Sequence, residues 1–290
     1  MDIVTDSGVD LGLTPDQLTD LRVHVVPLVV TMDGVAYRER VDIQAADFYP
    51  RLEASENLPT TSQPSAGDFA EIYRRLAVRS EEILSIHMSS GLSGTYASAL
   101  AGAQLVPEAN VTHVDTKTLS AASGWQVEAA ARAARAGWSI SRILTMLRKI
   151  GEATDSLFTL SELKYLIHGG RISHMKGLIA SLLNIKPMIG VEKVRGTYVQ
   201  RGSARTFAAA LSGLVGVIAG QHAPGSDMRL QVVHASNPGG AQLLREQIEK
   251  RFRCDWRPTG QLSLVLSAHT GPTMVGVAYA PRHVFAEVPS

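Results

Sequence analysis

Three polar turns carry the side chains that could bind a ligand: PTTSQPS at residues 59–65, SSGLSGT at 89–95 and AHTGPT at 268–273. The middle turn lies between an apolar run and an Ala-rich helical pattern, which predicts a strand, a tight turn and a helix N-terminus. Gly91 and Gly94 let the backbone approach a ligand, and free N–H groups and the Ser93 hydroxyl supply donors. Such a corner suits an anion, although an ordinary helix cap explains the same residues equally well.

Known catalytic motifs are not matched. GLSGT at 91–95 departs from the G-x-S-x-G nucleophile elbow because Thr95 stands where glycine is needed. The sequence contains neither the G-x-x-x-x-G-K-[ST] phosphate loop nor H-E-x-x-H. His87, within an apolar run, is most simply a core residue, whereas His269, in the third turn, is the better ligand contact. We therefore expect no catalytic residue and no metal site.

Composition excludes several classes of protein. The 290 residues carry 28 basic and 27 acidic side chains, a net charge of +1, without a basic stripe for nucleic acid. Cys254 is the single cysteine, so no intramolecular disulfide is expected. The run at 207–220 is too short to span a membrane. Without a signal-peptide pattern, we expect a cytoplasmic location, and the abrupt first strand suggests that a few N-terminal residues are missing.

The order of elements predicts an α/β protein of two domains, residues 1–154 and 155–290. Strands and helices alternate in the first half, as in a parallel sheet with helices on both faces. The second half contains a predicted hairpin with a turn at Arg195-Gly196, and we expect a second α/β domain there. Other predictions are strands at 23–32 and 262–267, an irregular segment at 59–65, and helices at 66–78, 175–183 and 205–220.

Taken together, six motifs resemble the DegV family in sequence and in order: TDSGVDL at 5–11, PTTSQPS at 59–65, SSGLSGTY at 89–96, LKYLIHGGRIS at 163–173, LLNIKPMI at 182–189 and HTGPTMVGVAY at 269–279. The resemblance implies a two-domain EDD fold, with a parallel sheet in a three-layer first domain and a mixed sheet in the second. It also implies one bound long-chain fatty acid, its carboxylate near the domain boundary and its tail in an apolar tunnel. No cofactor is implied.

The resemblance also implies roles for individual residues. Five positions are similar to the family's carboxylate contacts: Thr61, Ser62, Ser93, Gly94 and His269. Arg171 and Arg205 resemble family arginines near the head group or the kinase-docking face. Thr273 departs from the usual HTGPG and could restrict the turn that presents His269. Helices at 175–183 and 207–218 could line the tunnel, although a core role is simpler for each side chain.

Three functions remain open. The first is a carrier similar to the binding subunit of bacterial fatty acid kinase, which presents the carboxylate to a separate ATP-dependent kinase and feeds phospholipid metabolism. Such a carrier needs no stable membrane insertion, but it allows transient membrane contact for lipid exchange. The second is a small-molecule hydrolase or transferase with His269 as general base and a hydroxyl nucleophile. The third is a regulatory module whose lipid is structural.

Overall fold

The computed structural model describes residues 1–175 and 185–290. Seven strands lie in the first half: β1 (Asp2–Asp6), β2 (Val23–Val26), β3 (Val29–Met32), β4 (Val35–Arg38), β5 (Thr60–Ser62), β6 (Ile83–His87) and β7 (Val111–Asp115). A parallel sheet has the order β2-β1-β6-β7, and an antiparallel sheet has the order β4-β3-β5. The predicted parallel sheet of the first half is confirmed.

The second half builds a mixed sheet from the strands β8 (Asp155–Thr159), β9 (Lys186–Val191), β10 (Tyr198–Ala204), β11 (Asp227–His234), β12 (Arg253–Trp256), β13 (Gly260–Gln261) and β14 (Val275–Pro281). Their order is β10-β9-β8-β14-β11-β12, with β13 also paired to β11. Strand β11 is parallel to β12 and β13, and the other pairs are antiparallel. The predicted hairpin is β9–β10, and the predicted α/β fold is confirmed.

Helices cover both faces of the parallel sheet. The α-helices of the two described ranges are α1 (Pro15–Asp20), α2 (Ala45–Ala54), α3 (Ala66–Ala77), α4 (Thr95–Gln104), α5 (Ser120–Arg135), α6 (Ile140–Ala153), α7 (Lys164–His168), α8 (Phe207–Gln221), α9 (Pro238–Glu249) and α10 (Leu264–Thr270). Val4 and Ile83 face α3 and α4, whereas Ile3 and Leu84 face α5. Adjacent strand residues point to opposite faces, and helices cover both, which explains why β1 and β6 are buried along their whole length.

Local capping signals are read correctly from the sequence. The Ser65 hydroxyl accepts a hydrogen bond from the Asp68 N–H, and the Asp68 carboxylate accepts one from the Ser65 N–H. These reciprocal bonds form a capping box that starts α3. The predicted helix at 66–78 is confirmed with an end one residue earlier, and the predicted helix at 205–220 is α8.

Two predictions in the first half are wrong. The strand expected at 23–32 is interrupted at Pro27, which has no N–H to donate, and its two parts belong to different sheets. The segment at 59–65, expected to be irregular, contains β5, whose residue Ser62 pairs with Val29 of β3. Its two prolines lie just outside the strand, so they bound the segment without breaking it.

The strand expected at 262–267 is also wrong, because this apolar segment enters α10. A short, completely buried run has the same hydrophobic pattern as a strand or as a helix, so periodicity could not distinguish them. The helix expected at 175–183 lies, apart from Met175, outside the described residues. Within the two described ranges, no helix is long and apolar enough to cross a membrane. The domain boundary between residues 154 and 155 stays a prediction.

Candidate ligand-binding site

A polar cavity lies where the three turns converge. It encloses about 440 Å³ of space not filled by protein atoms, part of it open to solvent. Five of the side chains predicted from the sequence line it: Thr61, Ser62, Ser93, Arg171 and His269. The other lining residues are Leu28, Gln63, Met88, Leu92, Tyr198, Val265 and Leu266. Residues more than 200 positions apart in the chain are thus brought into one site.

His269 is the most constrained member of the polar cavity. Its Nε2 shares a hydrogen bond of 2.7 Å with Thr61 Oγ1, which joins α10 to β5. Its Nδ1 is buried and has no hydrogen-bond partner within the described part of the chain. Burial, followed by the charges of Arg171 and His168, lowers the pKa of His269 to about 3. The imidazole is therefore neutral at physiological pH.

Gly169 allows the backbone to pass directly against this imidazole. A Cβ atom at position 169 would lie 2.0 Å from His269 Nδ1, closer than any van der Waals contact permits. The Gly169 carbonyl accepts a hydrogen bond of 2.5 Å from Arg171 Nη1, which turns that guanidinium toward the polar cavity. The GGRIS turn thus supplies a glycine that lets the backbone lie against the His269 imidazole, and a cation, Arg171. The sequence predicted the cation but not the role of Gly169.

SSGLSGT leads from β6 into α4 and brings Ser93 to the polar cavity, whereas Gly94, also predicted as a contact, is not among the residues that line it. Ser93 Oγ lies 2.8 Å from Thr95 Oγ1 and accepts a hydrogen bond from the Thr95 N–H at 3.3 Å. Gly94 is the residue before α4 and packs against the side chain of Gln63, with no space for a Cβ. A helix N-terminus with small side chains can offer backbone donors to an anion, as the sequence predicts.

Arg205 is not part of the polar cavity. It lies exposed at the bend between β10 and α8, and it is not among the residues that line the cavity. Of the two predicted arginines, Arg171 is therefore the one that lines the polar cavity. A docking role for Arg205 stays a prediction.

An apolar cavity adjoins the polar one, and Tyr198 and Leu266 line both. It comprises about 400 Å³ of unfilled space, part of it open to solvent, between the mixed sheet, the start of α5 and α10. The remaining lining residues are Leu119, Ser120, Ala121, Ala122, Ser156, Leu157, Phe158, Val233, Leu262, Thr270, Met274, Gly276, Val277 and Ala278. Helix α8 is absent from this lining, because its buried side chains pack into the core on the other side of the mixed sheet.

Sequence reasoning missed Glu39, which holds the start of α10. Its buried carboxylate accepts hydrogen bonds from Ser7 Oγ at 2.6 Å, from Ser263 Oγ at 3.0 Å and from the Leu264 N–H at 2.6 Å. The first N–H groups of a helix have no partner within the helix, so Glu39 caps α10 from a distant part of the chain. Local sequence carries no sign of this, because Glu39 stands in a charged segment that resembles a surface turn.

Asp6, His87 and Ser85 have the order of contacts found in a hydrolase triad. Asp6 Oδ2 lies 3.0 Å from His87 Nδ1, and His87 Nε2 lies 2.6 Å from Ser85 Oγ. All three side chains are fully buried, and Ser85 Oγ also bonds the Tyr73 hydroxyl at 2.7 Å. No substrate can reach Ser85, so this array is structural, and His87 is a core residue as predicted.

The comparison with known proteins identifies the family. A family model described as "Uncharacterised protein, DegV family" matches residues 1–282. The chain belongs to the DegV family. A DegV domain-containing protein of Staphylococcus aureus is 36% identical over 278 residues, which cover 95% of this chain and 96% of the relative. Another, from Lactococcus lactis, is 36% identical over 275 residues, 93% of this chain and 95% of the relative.

Solved structures of the DegV family have the same fold. A Thermus thermophilus DegV family protein, described by its fatty acid binding, is 29% identical with a TM-score of 0.85, and the match covers 97% of this chain and 99% of that one. DegV from Bacillus subtilis, described as a fatty acid binding protein, is 27% identical with a TM-score of 0.86, again over 97% and 99%. The resemblance found in the motifs is therefore confirmed along the whole chain.

Proposed function

We propose that this DegV protein binds one long-chain fatty acid and presents its carboxylate to a separate ATP-dependent fatty acid kinase. The observation that carries the proposal is that the polar cavity and the apolar cavity adjoin each other, with Tyr198 and Leu266 lining both. A ligand that fits both spaces has a small anionic head and a hydrocarbon tail. Two family members of similar structure are described as binding fatty acids, which supports this choice of ligand.

The head-group site is the polar cavity. Hydroxyl groups of Thr61, Ser62 and Ser93 and the backbone at Gly94 supply neutral donors, and the neutral His269 can donate through one ring nitrogen. Arg171 supplies the one cation among the described residues that line the polar cavity. An ionised carboxylate loses its water on entering such a site, so it needs these donors to replace it. Because all of these donors except Arg171 are neutral, the carboxylate stays free to react with a phosphoryl donor.

Most of the binding free energy comes from the tail. Each buried methylene contributes about 0.8 kcal/mol, so a tail of roughly sixteen carbons gains on the order of 12 kcal/mol before the entropic losses of binding. The protein is then a carrier without catalysis of its own, and the kinase performs the phosphoryl transfer. Because that reaction uses ATP, we place the pair in the cytoplasm.

Native mass spectrometry of the gently purified protein, followed by lipid extraction, tests the ligand. We expect about one fatty acid for each chain, because one polar cavity adjoins the apolar cavity at Tyr198 and Leu266. A protein that purifies empty and fails to take up palmitate or oleate would refute the proposal. Addition of a fatty acid kinase and ATP should then convert the bound lipid to an acyl phosphate, and failure with several such kinases would limit the function to binding.

Substitution of His269 tests the head-group assignment. Loss of a hydrogen bond to a charged group is worth about 1.5–3 kcal/mol, so His269→Ala should weaken fatty acid binding about tenfold to a hundredfold. His283→Ala is the matched control, because His283 is exposed and does not line the polar cavity. This variant should bind as the wild type does. Equal affinity of His269→Ala and wild type would contradict the assignment.

One observation favours the alternative, a small-molecule hydrolase or transferase. Thr61 Oγ1 and His269 Nε2 are at the distance of a nucleophile and its general base. However, His269 Nδ1 has no acceptor among residues 1–175 and 185–290 to orient the ring, and the pKa of about 3 makes the imidazole a weak base. Turnover of a panel of small esters that is lost in Thr61→Val would favour the enzyme over the carrier.

A further inference from the structure

The apolar cavity lies beside a second open space, which we call the lateral cleft. The lateral cleft lies between α6, the β7–α5 connection and β9, and it encloses about 990 Å³, part of it open solvent. It is lined by Val114, Asp115, Thr116, Lys117, Thr118, Gln126, Leu144, Leu147, Arg148, Gly151, Glu152, Thr154, Asp155, Ser156, Val191 and Lys193. Ser156 lines both spaces, so one thin layer of protein separates them.

Two small hydroxyl side chains form this layer. Ser156 Oγ and Thr118 Oγ1 lie 3.3 Å apart and satisfy each other across the gap between β8 and the β7–α5 connection. The Thr118 carbonyl is fixed by hydrogen bonds from the Ser89 N–H at 2.7 Å and from Thr116 Oγ1 at 3.2 Å. The position of the layer is therefore set by the backbone, and its thickness is set by two side chains that substitution can change.

The surroundings change from apolar to polar across the layer. On the cavity side, Phe158 and Ala278 neighbour Ser156, whereas on the cleft side Asp155 and Lys193 form an ion pair of 3.3 Å. Thr154 Oγ1, also on the cleft side, is buried without a hydrogen-bond partner within the described ranges. A hydrocarbon chain that crossed the layer would leave apolar contacts and meet charges and water.

We propose that Thr118 and Ser156 form the wall that ends the acyl cavity and sets the longest fatty acid that the protein binds well. This inference rests on the proposed fatty acid binding. Each added methylene should strengthen binding about fourfold while the tail lengthens inside the apolar cavity. Once the terminal methyl group reaches the wall, further methylenes enter the lateral cleft and add little. Affinity plotted against chain length should therefore rise and then break.

The quantity to measure is the chain length at which affinity stops rising. Dissociation constants for saturated fatty acids from lauric to behenic acid are measured for the wild type, Ser156→Val, and Thr118→Ala combined with Ser156→Ala. Ser156→Val thickens the wall, so the break should come one or two methylenes earlier, and the best wild-type ligand should lose about fourfold to sixteenfold in affinity. The double alanine variant thins the wall, so its break should come later.

Ser203→Val is the matched control, because Ser203 lies exposed on β10 of the same sheet and lines neither cavity. Its break should coincide with that of the wild type. Circular dichroism and thermal unfolding check each fold, and the two wall variants should move the break in opposite directions, so either one suffices if the other does not fold. A break that stays in place in a folded wall variant overturns the wall while leaving fatty acid binding intact. Failure of the wild type to bind any chain overturns both proposals.

Discussion

Substitution of Glu39 by glutamine should change how the stability of the protein depends on pH. The Glu39 carboxyl group is about 1% exposed and accepts hydrogen bonds from Ser7, Ser263 and Leu264. Burial raises its pKa from 4.5 to about 7, although Arg40 and the hydrogen-bond donors act in the opposite direction. Between these two pH values the folded protein holds a proton that the unfolded chain has released.

The sign and size of the effect follow from proton linkage. A pKa that is higher in the folded state stabilises the protein fully below the unfolded value of 4.5, and this stabilisation is lost as the pH rises through about 7. Each tenfold change in proton affinity corresponds to about 1.4 kcal/mol, so the loss is about 3 kcal/mol. Glutamine resembles the protonated carboxyl group at every pH. The unfolding free energy of the wild type minus that of Glu39→Gln should therefore fall by about 3 kcal/mol across this range.

Urea unfolding of both proteins at several pH values from about 4.5 to about 8 measures this difference. Asp10, whose pKa burial raises to about 6, is present in both proteins and contributes to both curves. Glu81→Gln, at an exposed glutamate, is the control and should run parallel to the wild type. If the Glu39→Gln curve also runs parallel to that of the wild type, Glu39 does not hold a proton in the folded state and the reasoning is refuted.

Three further predictions concern the site and its support. Gly169→Ala should displace the His269 imidazole and weaken fatty acid binding about tenfold or more, measured by fluorescence displacement, whereas Gly216→Ala, where a Cβ meets nothing within 4 Å, should not. Ser85→Ala should destabilise the fold by about 1–3 kcal/mol in urea unfolding, by leaving the Tyr73 hydroxyl short of a partner, yet bind fatty acid normally. Because the pKa of His269 is about 3, calorimetry in two buffers near neutral pH should detect no proton uptake on binding; uptake of one proton would mean that His269 becomes charged.

Local signals in the sequence predict local structure well. The capping box at Ser65, the hairpin at Arg195-Gly196 and the repeated alternation of strands and helices each depend on residues close together in the chain. The secondary-structure predictions are wrong where contacts between distant parts of the chain are involved. The buried run that enters α10 is capped by distant Glu39, and the strand at 60–62 pairs with β3.

The site residues were predicted from their resemblance to family motifs. No single stretch of the sequence contains all the side chains of the site. Nothing in PTTSQPS or HTGPT alone indicates that Thr61 and His269 meet, since 208 positions separate them. The resemblance to a family placed them together, and the fold does bring them within hydrogen-bond distance. Glu39 and Gly169 were missed for the opposite reason, because each acts on α10 or on His269 through a long-range contact that no local pattern records.

Helix α10 belongs by position to the second half of the chain, but its polar contacts come from the first. Glu39 bonds its first residue, the Tyr49 hydroxyl bonds Ser267 Oγ at 2.9 Å, and Thr61 bonds His269 near its end. These three partners follow one another along a single segment of the first half, so that segment and α10 form one unit of structure. The polar cavity therefore exists only where the two halves are joined. A fragment cut at the proposed boundary between residues 154 and 155 would carry Thr61 and Ser93 without His269, and we expect neither fragment alone to bind a fatty acid.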